Sequence, residues 1–323
     1  MPRRVTILTS DSSPRDGLER AVANFLDRGR ARNLSPSTLR FYRTRLTAFA
    51  RYLKQAEVTP DPATITPAIV RDFVAAERER VSAVTAQHSF VALRAFFKFL
   101  TREEAIAVNP MDRVEKVRVP RKVIQTLSAS QVEALLGVCR RGFTGARLRA
   151  IILVLLDTGL RVSELCGINL EDVSWDEGTL RVMGKGSKER VVPFGEAARQ
   201  ALIGYLAKRG KLAGQSAVFV TCYRDRLNRH EVHRILQNAG RRAGLSGVRC
   251  SPHTFRHTCA VMYLRNGGDA FTLQKLLGHA TLDMTRRYCE LSQTDALAKH
   301  RQASPGDRFL GLPGPDGRRT RLT

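Results

Sequence analysis

Residues able to act on a phosphate concentrate between positions 251 and 290. Pro252 suits the first turn of a helix, where its missing N–H would have no partner anyway. His253 and Arg256 are three residues apart and therefore share one face of that helix. An imidazole beside a guanidinium makes a poor core pair but can clamp a phosphate. The spacing predicts an anion site here, with Tyr288 as its nucleophile.

His279 belongs to the same stretch. Gly278 is expected to end the helix that contains Leu273 and Leu277, because glycine adopts the left-handed conformation that closes many helices. His279 would then lie at a tight turn, and Tyr288 would lie on the following helix. The proposed target of these side chains is a DNA phosphate.

The composition supports a polyanionic partner. The chain has 323 residues, which is too long for one small core and predicts two domains. Lys and Arg total 54 against 30 Asp and Glu, giving a formal net charge of +24. An anionic membrane is the rival partner. However, the apolar run from Ile151 to Leu156 is far shorter than the ~20 residues that a spanning helix needs.

The expected location is the cytoplasm, in association with the nucleoid. The N-terminus carries Arg3 and Arg4 but no apolar signal core, so we expect no export. The six cysteines are scattered and form no C-x-x-C pair. Reduced thiols are the expectation for such a chain, and no membrane partner is expected.

Four amphipathic helices are predicted in the first third of the chain. They are expected near Leu18, from Leu39 to Leu53, near Ile69 and from Thr85 to Leu100. Basic side chains flank the apolar stripes of the second and fourth. Such a flank can contact a DNA backbone or can simply be solvated, and the pattern leaves both open. The candidate DNA contacts are Arg40, Arg43, Thr85, Gln87, Arg94 and Lys98.

Apolar periodicity fails after Asn109, where basic residues accumulate. This composition predicts an extended linker that lies along DNA. The predicted division is a flexible arm at 1–14, a helical DNA-binding domain at 15–109, a basic linker at 110–126, a catalytic domain at 127–302 and a flexible tail at 303–323.

The second domain is predicted to combine helices with one small sheet. Ser128 and Gln131 form a capping-box pattern, and Arg161 is expected near a helix N-terminus, where backbone N–H groups favour an anion. Strands are predicted at Val173 to Trp175, Thr179 to Met183 and Arg190 to Pro193. Lys185 lies at the hairpin tip, where it could reach a phosphate or form a generic basic turn. The local pattern lacks the spacing of a nucleotide-binding P-loop.

Other chemistries fit the residues less well. Cys250, His253, His257 and Cys259 are close together, but their order matches neither usual pairing of zinc ligands, so no metal site is predicted. Acidic residues form no two-metal cluster, and no G-x-S-x-G elbow is present. Tyr263 is a competing candidate for the nucleophile. It lies on an apolar helix, however, which favours a position in the core.

Five motifs together resemble the tyrosine recombinases, the integrase-type site-specific recombinases, and are most similar to Xer-type members. They are TGLRVSEL around Arg161, VMGKGSKER around Lys185, SPHTFRHT around His253 and Arg256, LLGHA around His279 and RRYCE around Tyr288. The motifs stand in the family's order, and the likeness extends over nearly the whole chain. It is the combination that is specific, since each motif alone is not.

The resemblance implies a mainly α fold with a small antiparallel β-sheet in the catalytic domain. It also implies a two-domain, C-shaped clamp around duplex DNA, in which the N-terminal helices form a SAM-like core-binding domain. Tyr288 would form a 3′-phosphotyrosyl link, with Arg161 and Arg256 on the phosphate oxygens. Lys185 would protonate the leaving 5′-oxygen, and His253 and His279 would assist. No metal, ATP or other cofactor is implied.

In the family, four protomers act on DNA at an inverted-repeat core site and exchange strands through a Holliday junction. The expected partners are therefore duplex DNA and a homo-tetramer, with a second recombinase or an accessory protein as an addition. A C-terminal segment controls the neighbouring protomer in the family, and Leu291 to Lys299 is predicted to do so here. No arm-binding domain is expected before the core-binding domain.

Two other functions stay open. A type IB topoisomerase-like enzyme shares this chemistry but relaxes DNA without paired sites. A non-catalytic DNA-binding accessory protein would need no Tyr288. The sequence does not separate integration or excision from resolution of transposon cointegrates or chromosome dimers.

Overall fold

A computed structural model describes residues 17–119, 124–184, 189–279, 281–292, 300 and 304–310. The chain divides into two compact units, Met1–Lys122 and Val123–Thr323. Helices dominate the described residues, and a three-stranded antiparallel sheet lies in the second unit. This confirms the predicted mainly α fold with a small sheet. The predicted arm at 1–14, Lys185 and residues 293–299 lie outside the described residues.

Four amphipathic helices build the described part of the first unit. They are α1 (Gly17–Ala31), α2 (Pro36–Gln55), α3 (Pro67–Arg80) and α4 (Ala83–Arg102). Ser35, Thr66 and Ser82 cap the last three, each accepting a hydrogen bond from a backbone N–H of the first turn. Their apolar faces meet in an aromatic core, where Phe49 and Phe73 pack edge to face with centroids 5.0 Å apart. Burying each such ring stabilises the unit by about 1.5–3 kcal/mol.

The segment predicted as an extended linker begins differently. A short 3-10 helix covers Pro110–Arg113, and the side chains of Met111 and Val117 are only 4% and 7% exposed, within the core of the first unit. Isolated apolar residues among basic ones show no periodicity, which is why the pattern missed this packing.

The second unit begins with α5 (Ala129–Gly137), α6 (Phe143–Thr158) and α7 (Val162–Gly167). Strands β1 (Val173–Ser174), β2 (Thr179–Met183) and β3 (Glu189–Pro193) pair in that order, with Met183 opposite Glu189 at the end of the hairpin. Thus β1 is one residue shorter than predicted and β3 one residue longer. The remaining helices of the described residues are α8 (Glu196–Arg209), α9 (Arg229–Arg242), α10 (Pro252–Arg265), α11 (Ala270–Leu277), α12 (Leu282–Ser292) and α13 (Pro305–Phe309).

Helix α6 is the centre of the second unit's core. Ile151, Ile152, Val154 and Leu155 are fully buried, which explains the continuous apolar run in this part of the helix. A smaller cluster joins α10, α11 and α12 and includes Leu273, Leu277 and Tyr288. An isolated β-bridge joins Val220 and Arg226 outside the sheet. Within the described part of the chain, no helix combines the length and the apolar character needed to cross a bilayer.

Candidate active site

Two arginines are anchored on backbone carbonyls around the end of α11. Arg256 is 5% exposed, and its Nη1 and Nη2 donate to the carbonyls of Gly159 (2.6 Å) and Leu277 (2.7 Å). Arg161 Nη2 donates to the Gly278 carbonyl at 3.2 Å. Each guanidinium has five N–H donors, so both keep donors for a ligand. Two fixed guanidiniums on neighbouring carbonyls can bind two oxygens of one anion.

Glu164 braces Arg161 and links it to Arg190 on β3. Its carboxylate is buried, accepts hydrogen bonds from Arg190 Nη1 (2.7 Å) and Nη2 (2.9 Å), and accepts another from Arg161 Nη1 (2.9 Å). Burial by itself would raise the pKa of Glu164, but the hydrogen bonds from Arg190 and Arg161 outweigh it and hold the pKa below its usual value. The carboxylate therefore stays ionised and fixes the Arg161 side chain.

Gly278 makes the turn possible. It has a φ of +64° and ends α11, as the sequence predicts. A Cβ added there would lie 3.2 Å from the guanidinium carbon of Arg190. Glycine thus allows both the left-handed turn and the close approach of Arg190, which also donates from Nε to the Leu276 carbonyl at 3.2 Å.

Arg256 stays charged in spite of its burial, whereas burial and nearby charge keep His279 neutral. Burial, followed by the nearby Arg161, lowers the pKa of Arg256 to about 10, so the guanidinium is still protonated at neutral pH. Burial and then the charge of Arg256 lower the pKa of His279 to about 4. His279 is 8% exposed, and its Nδ1 lies 2.9 Å from Thr285 Oγ1. His253, in contrast, is exposed on the first turn of α10.

Tyr288 lies on α12 among these groups. Its side chain is 5% exposed, and its ring stacks on that of His279 with centroids 6.1 Å apart. Its hydroxyl lies 2.8 Å from Nδ1 of His257. Burial raises the pKa of Tyr288, against the opposing effect of Arg256. A tyrosine, two anchored guanidiniums and neutral imidazoles form a site suited to attack on a phosphate ester.

Comparison with known proteins agrees with this reading. Residues 125–294 match the phage integrase family, and residues 25–104 match the phage integrase N-terminal SAM-like domain. The tyrosine recombinase XerC of Syntrophus aciditrophicus is 35% identical over 293 residues, which cover 86% of this chain and 94% of that protein. The tyrosine recombinase XerD of Shewanella oneidensis is 35% identical over 282 residues, covering 85% and 93%.

The chain belongs to the phage integrase family. It is a site-specific tyrosine recombinase of the Xer type, as the motifs predict. Solved recombinases share the fold: XerH bound to a palindromic difH substrate superposes with a TM-score of 0.70 at 21% identity, covering 90% of this chain and 84% of that one. A lambda integrase dimer on a core site gives a TM-score of 0.68 at 21% identity, covering 83% and 96%.

The structure of this recombinase brings together five of the six predicted catalytic residues in the second unit. Arg161, Arg256, His279 and Tyr288 share the contacts described above, and His253 lies on the same helix as Arg256, one turn before it. Lys185 lies outside the described residues. The flanking strand β3 reaches the site, because Arg190 on β3 contacts Glu164.

Three residues of the site were missed by sequence reasoning. Glu164 and Arg190 lie inside quoted motifs, but a pair 26 positions apart gives no local signal. His257 directly follows Arg256 and was considered only as a zinc ligand. In the part of the chain that the structure describes, no three His, Cys, Asp or Glu side chains gather as metal ligands do.

Tyr263, the rival nucleophile, is engaged elsewhere. It packs partly buried against the cluster of α10, α11 and α12, and its hydroxyl lies 2.9 Å from Thr272 Oγ1. That environment resembles the core position that the sequence favours for it.

The candidate DNA contacts lie on α2 and α4 of the first unit. Arg40, Arg43, Arg94 and Lys98 are exposed. Arg43 borders a groove between α1 and α2. Thr85 has a different position, because its hydroxyl lies 2.9 Å from that of Ser82 in the N-terminal cap of α4. Gln87 is half-buried.

Proposed function

We propose that this recombinase cuts one DNA strand by attack of the Tyr288 oxygen on a backbone phosphorus. The P–O5′ bond breaks, a 3′-phosphotyrosyl link forms, and a 5′-hydroxyl leaves. The observation that supports this most strongly is the joint placement of Arg161 and Arg256 on the carbonyls of residues 159, 277 and 278, in the same site as Tyr288. The same phosphate would then be held before, during and after attack.

The proposed roles follow from charge and position. Arg161 and Arg256 stabilise the extra negative charge of the pentacoordinate state, and removing one such donor typically costs about 10²–10³ in rate. Lys185 protonates the leaving 5′-oxygen. His253 and His279 assist at the phosphate and the tyrosine. Because the energy of the broken bond is kept in the phosphotyrosyl link, rejoining requires neither ATP nor a metal.

We further propose that the enzyme acts as a homo-tetramer on duplex DNA that carries an inverted-repeat core site. Pairs of strands would be exchanged in turn through a Holliday junction, in integration, excision or resolution. With such a DNA partner, the protein would act in the cytoplasm, in association with the nucleoid. The relatives named tyrosine recombinases XerC and XerD support the recombinase class, and the DNA-bound XerH and lambda integrase structures support DNA as the partner. A chain that ends before Leu291 is expected to assemble fewer tetramers on DNA, and unchanged assembly would count against this role for residues 291–299.

The direct test uses nicked DNA that carries the recombination site recovered from the protein's genomic neighbourhood. Wild-type protein in EDTA should give a denaturation-resistant protein–DNA adduct. Tyr288→Phe should bind the DNA equally well and give no adduct, while Tyr263→Phe, the matched control, should give the wild-type yield. Tight binding without any wild-type adduct would contradict the proposal, and relaxation of plasmids without paired sites would favour a topoisomerase-like activity.

A further inference from the structure

His257 occupies a position that the motif does not suggest. It directly follows Arg256 on α10, and adjacent residues on a helix point in different directions. Arg256 reaches the carbonyls of Gly159 and Leu277, whereas His257 faces α12. There its Nδ1 lies 2.8 Å from the hydroxyl oxygen of Tyr288, and the two ring centroids are 5.6 Å apart.

The other two histidines of the site have different neighbours. His279 lies against the face of the Tyr288 ring, with an interplanar angle of 13°, and its Nδ1 contacts Thr285. The ring of His253 lies 6.5 Å from that of His257, towards the exposed start of α10. Among the described residues, His257 is the side chain that hydrogen-bonds the Tyr288 hydroxyl.

The surroundings of His257 favour its neutral form. Burial lowers its pKa, and the neighbouring His253 and Arg256 on the same helix lower it further. The titratable residues that face His257 from other elements are His279 and Tyr288. Neither of them is a carboxylate, so neither favours the charged form of His257. A neutral imidazole with its proton on Nε2 carries a lone pair on Nδ1, the atom that faces the phenol.

We propose that His257 is a catalytic residue, the proton acceptor for Tyr288; this rests on the nucleophilic role proposed above for that tyrosine. As the phenolic oxygen bonds to phosphorus, its proton passes to Nδ1 of His257, and the 5′-oxygen leaves with a proton from Lys185. In rejoining, the 5′-hydroxyl attacks the phosphorus and returns its proton to Lys185, while the proton on His257 passes back to the leaving tyrosine oxygen.

This assignment places the base and the acid on separate elements. The base lies on α10 beside the nucleophile, and the proposed acid, Lys185, falls between β2 and β3 in the sequence. Proton transfer by a positioned side chain typically contributes about 10²–10⁴ in rate. The effect of losing His257 should therefore be comparable to that of losing one arginine, although its position is outside the six residues that the motifs predict.

The test measures single-turnover cleavage of the nicked substrate between about pH 5 and pH 9 with His257→Gln. Glutamine keeps a hydrogen-bonding side chain but takes up no proton. We expect a loss of about 10²–10⁴ at neutral pH with DNA binding unchanged. The loss should shrink as pH rises, because the phenolate fraction then grows without a base. The exposed His230→Gln, on α9, is the matched control and should keep the wild-type profile.

A substrate with sulfur in place of the 5′-bridging oxygen separates a base from an acid. A thiolate leaves without protonation, so it should restore cleavage by Lys185→Ala and leave the defect of His257→Gln in place. Three results for His257→Gln would overturn the proposal. They are rescue of its cleavage by the sulfur substrate, a cleavage rate within about twofold of wild type, and cleavage faster than wild type. Adduct formation by wild type tests the proposed function, and its dependence on His257 tests this inference, so the two can fail separately.

Discussion

The two units of this recombinase use their arginines in opposite ways. In the first unit, Arg40, Arg43 and Arg94 are exposed on amphipathic helices. In the second unit, Arg256 is 5% exposed, and Arg161 is held by Glu164. Arg256 donates to Gly159, 97 positions away in the chain, and Arg161 donates to Gly278, 117 positions away. The exposed arginines attract DNA through their combined charge, so each is expected to contribute little to DNA affinity. The anchored arginines act on one phosphate, so each is expected to contribute strongly to the cleavage rate.

Among the tests of this contrast, the largest effect is expected for Arg256→Ala. Removing this guanidinium should lower the single-turnover cleavage rate by about 10²–10³, because it deletes a fixed donor to the phosphate. DNA affinity should change little. The control is Arg265→Ala, which removes an exposed arginine from the last turn of the same helix. A loss below about tenfold, or an equal loss in the control, would remove the distinction between anchored and exposed arginines.

Glu164→Gln tests the brace behind the arginines. The variant keeps the shape but leaves two guanidiniums without a counter-charge, so the free energy of unfolding should fall by about 1–3 kcal/mol. Because the pKa of Glu164 is lowered in the folded chain, its stabilisation is present above the ordinary carboxyl pKa of about 4.3 and is lost as pH falls through the folded value.

Denaturant titrations at several pH values measure this effect. Protonation of Glu164 should lower the free energy of unfolding of the wild type at acid pH. Glu164→Gln should lack this decline, whereas the exposed Glu171→Gln should retain it. Equal stability of wild type and Glu164→Gln at neutral pH would show that the brace is dispensable.

Gly278→Ala tests the turn that carries the arginine-binding carbonyls. The φ of +64° costs a residue with a Cβ about 1–2 kcal/mol, and the approach of Arg190 adds crowding. We expect a lower melting temperature together with slower cleavage. Gly137→Ala, at the end of α5 with nothing within 4 Å of the added Cβ, should not destabilise the protein. A stable and fully active Gly278→Ala would contradict the role of this turn.

The smallest effect is expected in the first unit. Arg43→Ala should weaken DNA binding a few-fold and reduce the slope of log affinity against log salt by about 1, if Arg43 meets a phosphate. Cleavage at saturating protein should be unchanged. Arg78→Ala, an exposed arginine on α3, provides the comparison. An unchanged salt slope for Arg43→Ala would support the alternative of a merely solvated basic flank.

The same contrast explains what the sequence could predict. Helices α2 and α4 follow from apolar residues at three- and four-residue spacing, and the Ser128–Gln131 capping box is formed as its local pattern predicts. The types of the site residues follow from motifs. The brace of Glu164 by Arg190 and the contact of His257 with Tyr288 depend on residues 26 and 31 positions apart, which only the folded chain brings together.

The measurement that tests the central claim most directly identifies the residue that carries the DNA. Wild-type adduct would be trapped on the nicked substrate, digested with nuclease and protease, and sequenced by mass spectrometry. The account predicts a nucleotide on the peptide that contains Tyr288, from the second unit. A nucleotide on Tyr263, or on any residue of the first unit, would contradict it.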